Sequence, residues 1–217
     1  QHQQFQEWYA SAHVERAMLE SANDANALQY LKAEILNAAP WEEAILFAVE
    51  RMARGDGRQR TACSLCILSA FEVDPLLAAE MIFRATEEVW TPIASRIQAT
   101  VGRWHAPGTS DRAMRFMLTS GRPEFLEQVW PLLTHDNDQV SLKALRNCKR
   151  FRPTILGRDI GKRIMGLPAP ARRVLLHEMA MNSQMDGMNL ATEYAKSDPD
   201  TEVKVTTVEA LAFRRAD

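Results

Sequence analysis

The chain closes with SDPDTEVKVTTVEALAFRRAD, residues 197–217. An Asp-Pro-Asp turn leads into a segment whose apolar and small residues are Val203, Thr207, Val208, Ala210 and Leu211. Counted from Val203 these fall at 0, +4, +5, +7 and +8, which predicts one broad apolar face of a 3.6-residue helix. Lys204 adds a base at +1.

The same figure recurs upstream. In WPLLTHDNDQVSLKALRNC, residues 130–148, an apolar helix end meets the turn Asp136-Asn137-Asp138, and Val140, Ala144, Leu145, Asn147 and Cys148 follow at the same offsets. Midway between the two copies, GLPAPARRVLLHEMA places a proline-marked turn before an apolar helix around Val174. The spacing from Val140 to Val174 is 34 residues and from Val174 to Val203 is 29. A fainter copy, RGDGRQRTACSLCILSAF, occupies residues 54–71, while residues 88–121 are the least regular part. Self-similarity at a period in the low thirties is the mark of stacked helical hairpins.

The rest of the chain keeps the hairpin rhythm. Apolar residues recur at three- and four-residue spacing with no alternating run. Helices are expected near 3–20, 25–38, 41–54, 57–72, 75–86, 88–103, 110–120, 122–134, 138–150, 154–166, 169–181, 185–197 and 200–215. Asp74-Pro75 and Asp198-Pro199 each read as an N-cap before a first-turn proline, whose missing N–H costs nothing there. Pro92 and Pro131 fall inside periodic stretches, where each is expected to kink a helix or move its boundary.

A turn with Asp-x-Asp followed by Val-base-x-x-small-apolar-x-Ala-Leu resembles the HEAT repeat. The match is clearest over 124–150, 154–181 and 183–215; position 141 is Ser where the family usually has a base. The resemblance implies an all-α fold, a right-handed α-solenoid of about six stacked helical hairpins spanning 1–217 as a single domain. Solenoids bury each repeat on its neighbour and cap the last one with polar residues. The 200–215 helix stays apolar over Val203, Val205, Val208, Leu211 and Phe213, so 1–217 is expected to be a fragment of a longer protein.

Bulk properties fit this picture. The 217 residues are 46% apolar and 25% charged, with a mean hydropathy of −0.29, as in folded globular chains. No stretch approaches the roughly 18–20 apolar residues of a membrane span, and no signal-peptide h-region opens the chain. Gln1 in place of Met reads as a processed or trimmed start, which leaves room for a removed signal peptide. Cys63, Cys66 and Cys148 are an odd set, read as reduced core cysteines, and the expected compartment is cytoplasmic.

Motifs for catalysis and metal binding are incomplete. Cys63-x-x-Cys66 lacks both a βαβ context and a second ligand pair. His177-Glu178 lacks the second His of a zinc-protease helix, since position 181 is Met. His135-Asp136-Asn137-Asp138 sits where a turn needs caps, and no glutamate follows at calcium-loop spacing. His2, His13, His105, His135 and His177 are scattered. The expectation is no enzyme, no cofactor and no metal.

Charge is the better lead. Residues 1–52 carry eight acids against three bases, whereas residues 143–173 carry ten bases against Asp159 alone. Those bases are Lys143, Arg146, Lys149, Arg150, Arg152, Arg158, Lys162, Arg163, Arg172 and Arg173. Lys143, Arg146 and Arg150 share one helix face, and Arg158, Lys162 and Arg163 share another. The stretch is therefore the candidate partner-binding face of a scaffold or recognition module, its partner an acidic protein segment or the acidic N-terminal part of another copy. The alternative is a nucleic-acid or phosphate-binding solenoid, held by counterion release. Only Phe151 is at hand to stack bases.

Overall fold

Aspartates start four of the described helices. In the computed structural model, which describes residues 2–104, 110–135, 140, 152–183 and 185–215, Asp24, Asp56, Asp74 and Asp200 each accept hydrogen bonds from backbone N–H groups at a helix N-terminus. Each satisfies donors that the first turn of a helix leaves without an intrahelical partner.

Every regular element among the described residues is helical. The chain forms two compact units, Gln1–Arg103 and Trp104–Asp217. The first holds α1 (His2–Ser21), α2 (Ala25–Tyr30), α3 (Glu42–Ala53), α4 (Gly57–Val73), α5 (Pro75–Arg84) and α6 (Glu87–Trp104). A π-wound segment, Leu31–Leu36, prolongs α2 and buries Leu31, Ile35 and Leu36; a 3-10 turn, Ala39–Trp41, carries Pro40 into α3. The second unit holds α7 (Ser110–Ser120), α8 (Leu126–Leu133), α9 (Ile160–Met165), α10 (Ala169–Asn182), α11 (Met185–Ser197) and α12 (Thr201–Arg215), with 3-10 turns at Pro123–Phe125 and Pro153–Leu156.

In the first unit α3 packs on α1, α4 and α5, and α4 packs on α1 and α5. Val14, Met18, Ile45, Met52, Ile67 and Trp90 are among its fully buried side chains. Polar ties join non-neighbouring turns: the Ser64 hydroxyl donates to the Val89 carbonyl (2.9 Å), and the Thr86 hydroxyl to the Ala53 carbonyl (3.1 Å). In the second unit α10 packs on both α11 and α12, and the Arg214 guanidinium donates to the carbonyls of Ala180 (3.1 Å) and Ser183.

Three local expectations are revised. The segment 154–166 is two pieces, because Gly157 takes φ 73° after the 3-10 turn and breaks the run before α9. The start of α12 is capped by Asp200, which accepts from the N–H groups of Glu202 (2.8 Å) and Val203 (3.1 Å), and not by Asp198. Finally, Val203, Thr207 and Ala210 of α12 are buried, but Val208 is 58% exposed and Leu211 is only half-buried. The buried stripe is thus narrower than the pattern implied, with Val205 and Phe213 also exposed.

The start of α4 gives a local test. Asp56 accepts from the Gln59 N–H (2.8 Å), while the Gln59 side chain accepts from the Asp56 N–H (2.9 Å), a reciprocal capping box. A Cβ on Gly55 would lie 2.0 Å from Gln59 Oε1 and 2.6 Å from its Cδ. Gly55→Ala is expected to expel the Gln59 side chain and cost about 1 kcal/mol of stability in urea unfolding. In a Gln59→Ala background the same substitution should cost appreciably less, since only the Cβ of residue 59, 3.1 Å away, still crowds the new methyl and alanine restricts the unfolded chain.

Candidate functional site

The basic stretch divides into residues spent inside the fold and residues left at the surface. Arg172 is 7% exposed and Asp198 fully buried. The Arg172 Nε donates to Asp198 Oδ2 (2.8 Å), Nη2 to Oδ1 (3.0 Å), and Nη1 to the Leu167 carbonyl (2.5 Å). Asp198 also accepts from the Asp200 N–H (2.9 Å). These hydrogen bonds, the Arg172 pair first among them, hold the Asp198 carboxyl below its ordinary pKa, and Asp198 in turn raises that of Arg172.

Arg152 is also buried, with Nη1 3.5 Å from Asp186 Oδ2. Its backbone N–H donates to the Leu118 carbonyl (3.0 Å). Arg173 pairs with Glu202 at the surface. Lys162 stands 3.9 Å from Asp159 with both side chains largely in water. Arg158 is exposed and Arg163 half-buried. Lys143, Arg146, Lys149 and Arg150 lie outside the described residues, as do Phe151 and the Asp136-Asn137-Asp138 turn. Asp159 is therefore not the stretch's sole counter-charge: Asp186, Asp198 and Glu202, between 26 and 34 residues along the chain from their partners, take Arg152, Arg172 and Arg173.

Cys63 and Cys66 are buried free thiols. Burial pushes the Cys63 thiol up to about 12 and that of Cys66 higher still, so neither is a nucleophile in the closed fold. His177 Nδ1 lies 3.2 Å from Glu178 Oε1. Among the described residues no group of three or more His, Cys, Asp or Glu side chains is placed to hold a metal ion.

An aromatic surface on the first unit went unread in the sequence. Phe5, Trp8 and Tyr9 occupy one face of α1 at i, i+3 and i+4, and are 65%, 49% and 70% exposed. With Phe47 of α3 they line an open hollow of about 460 Å³. Trp8 and Tyr9 meet edge-on, ring centres 5.3 Å apart. The Arg51 guanidinium lies 5.2 Å from the Trp8 ring centre, held by Glu15 and by Ser11 Oγ (2.5 Å). Further along α1, His13 approaches Trp41 (5.6 Å) and Tyr30 (6.5 Å). The i, i+3, i+4 spacing of Phe5, Trp8 and Tyr9 was the available signal; it reads equally as a core stripe.

No family model, no curated protein and no solved structure matches the chain. Among the described residues no helix is long and apolar enough to cross a membrane.

Proposed function

We propose that the chain is a non-catalytic recognition module that offers a helical surface to a protein partner. The observation that carries this reading is the exposed aromatic hollow of Phe5, Trp8, Tyr9 and Phe47. Clustered exposed aromatic side chains are costly in water and are the residues enriched where proteins bind one another. We further propose a HEAT-like solenoid arrangement. It is supported within each unit by helices packing on the next but one: α3 on α1, α5 on α3, α12 on α10.

Panning a random peptide library on the immobilised full chain, counter-screened on a Tyr9→Ser chain, tests this. Enriched peptides are expected to bind the wild type with Kd of about 10–100 µM and the variant far more weakly. Tyr9 is mostly in water, so the variant should fold unchanged. If no enriched peptide distinguishes the two chains, the aromatic surface is not a recognition site.

The nucleic-acid reading keeps Arg158 and Lys162, both exposed, with the four basic residues of 143–150. It predicts binding of a fluorescent DNA duplex or matched RNA that falls steeply with salt. Such binding would vanish when Arg146, Arg150, Arg158 and Arg163 are reversed to Glu. With Arg152 and Arg172 engaged inside the fold, the expected result is no binding even at low salt.

A further inference from the structure

Three features of the aromatic hollow point to its occupant. First, the unit that carries it is acidic overall: residues 1–103 hold fourteen acids and nine bases. Second, Glu43 is exposed one helical turn before Phe47, so a carboxylate and an aromatic ring share a face of α3. Third, the chain itself shows how this surface holds a cation: Arg51 lies over the Trp8 ring while Glu15 and Ser11 take its N–H groups.

We propose that the Phe5/Trp8/Tyr9/Phe47 hollow binds a cationic side chain, arginine in preference to lysine, on a segment of a partner protein. This rests on the recognition-module reading and names the partner's chemistry. Ring faces attract cations through their quadrupole. A guanidinium can lie flat on a ring and still direct N–H donors sideways to a carboxylate, which an ammonium cannot do. Trp8 already carries Arg51, and Phe5, Tyr9 and Phe47 supply further ring surface for an incoming cation; Glu43, exposed four residues before Phe47, is the counter-charge proposed for it. The excess of acids over bases in this unit attracts a basic segment and repels phosphate-rich polymers. A purely apolar ligand would leave that complementarity unused.

The test follows the Trp8 indole N–H signal of the 15N-labelled full chain, assigned by its loss in Trp8→Phe. The probes are three blocked peptides of alternating glycine with arginine, lysine or citrulline. Citrulline keeps the shape of arginine and removes its charge. The arginine peptide is expected to shift the Trp8 signal saturably, the lysine peptide several-fold more weakly, and the citrulline peptide not at all. Tyr9→Ser should abolish the response, and Glu43→Gln should weaken it several-fold.

A citrulline response equal to that of arginine overturns the cation claim while protein recognition at this surface stands. A Trp8 response to arginine unchanged by both Tyr9→Ser and Glu43→Gln overturns the assigned site. No response to any of the three peptides overturns the proposal, and the library panning then decides separately whether the surface recognises protein at all. If the unliganded chain sediments as a dimer whose dissociation by salt is accompanied by the same Trp8 shift, the occupant is a second copy and the proposed partner is overturned.

Discussion

Asp198→Ala is expected to destabilise the second unit by about 3–5 kcal/mol, because it leaves the Arg172 guanidinium buried without its carboxylate. Arg172→Met should cost a similar amount from the other side, stranding a carboxylate with no access to water. The paired substitution Arg172→Met with Asp198→Leu should cost much less than the two single losses together, since neither charge is left behind. Urea unfolding of the four chains completes the cycle. Additive losses would mean that the two side chains act independently.

The same pair sets a pH dependence. The Asp198 carboxyl is held below its ordinary value of 3.8 in the folded chain, chiefly by the Arg172 hydrogen bonds. Its contribution is therefore complete above the unfolded carboxylate range, from about pH 5 upward. It declines as pH falls through the unfolded value and is lost once the folded carboxyl itself takes a proton. Asp198→Asn should flatten this part of the acid limb of a stability-versus-pH curve while keeping a side-chain oxygen for the Asp200 N–H.

Phe116→Ala is expected to cost about 3–5 kcal/mol. Phe116 is fully buried and meets two rings edge-on: Trp104 at 6.2 Å and Phe125 at 6.1 Å between centres. Truncation removes both contacts and leaves a void that the short helices α7 and α8 cannot close without shifting. Phe116→Leu should cost appreciably less, because most of the volume is kept. Trp104 fluorescence offers a second readout, since the Arg112 guanidinium lies 4.1 Å from its ring centre and Phe116 borders the same indole. If Phe116→Ala unfolds at the wild-type urea midpoint, Phe116 does not anchor this core.

The helix boundaries were legible because their causes are local. Asp74 before Pro75 reads directly as a cap and a first turn, and the structure has α5 begin there with Asp74 accepting from Leu76 and Leu77. At Asp198-Pro199 the same logic chose the wrong aspartate. Both Asp198 and Asp200 can cap, and what separates them is Arg172, 26 residues earlier, which the fold brings to Asp198. The basic stretch misled for the same reason. Counting charges along the chain left ten bases facing Asp159, but ion pairing follows distance in space, and Asp186, Asp198 and Glu202 all come from later in the chain. The offsets read from Val203 placed the helix correctly and its buried width too generously, because periodicity identifies a face without saying how much of it another helix covers. The Phe5, Trp8 and Tyr9 cluster carried the opposite ambiguity: its spacing suits a core, and its exposure is decided by what α3 leaves uncovered.

The two buried cysteines of α4 give the first unit a built-in clock. The thiolate is what attacks an alkylating reagent and displaces its leaving group, and burial keeps Cys63 and Cys66 both protonated and out of reach. In a Cys148→Ser chain, each labelling event at neutral pH must then wait for α4 to open. When reclosing outpaces the chemistry, the ratio of the labelling rate to that of a free thiol is the equilibrium constant for opening. Mass spectrometry of the alkylated chain would thus read the first unit's stability in plain buffer, with no denaturant added.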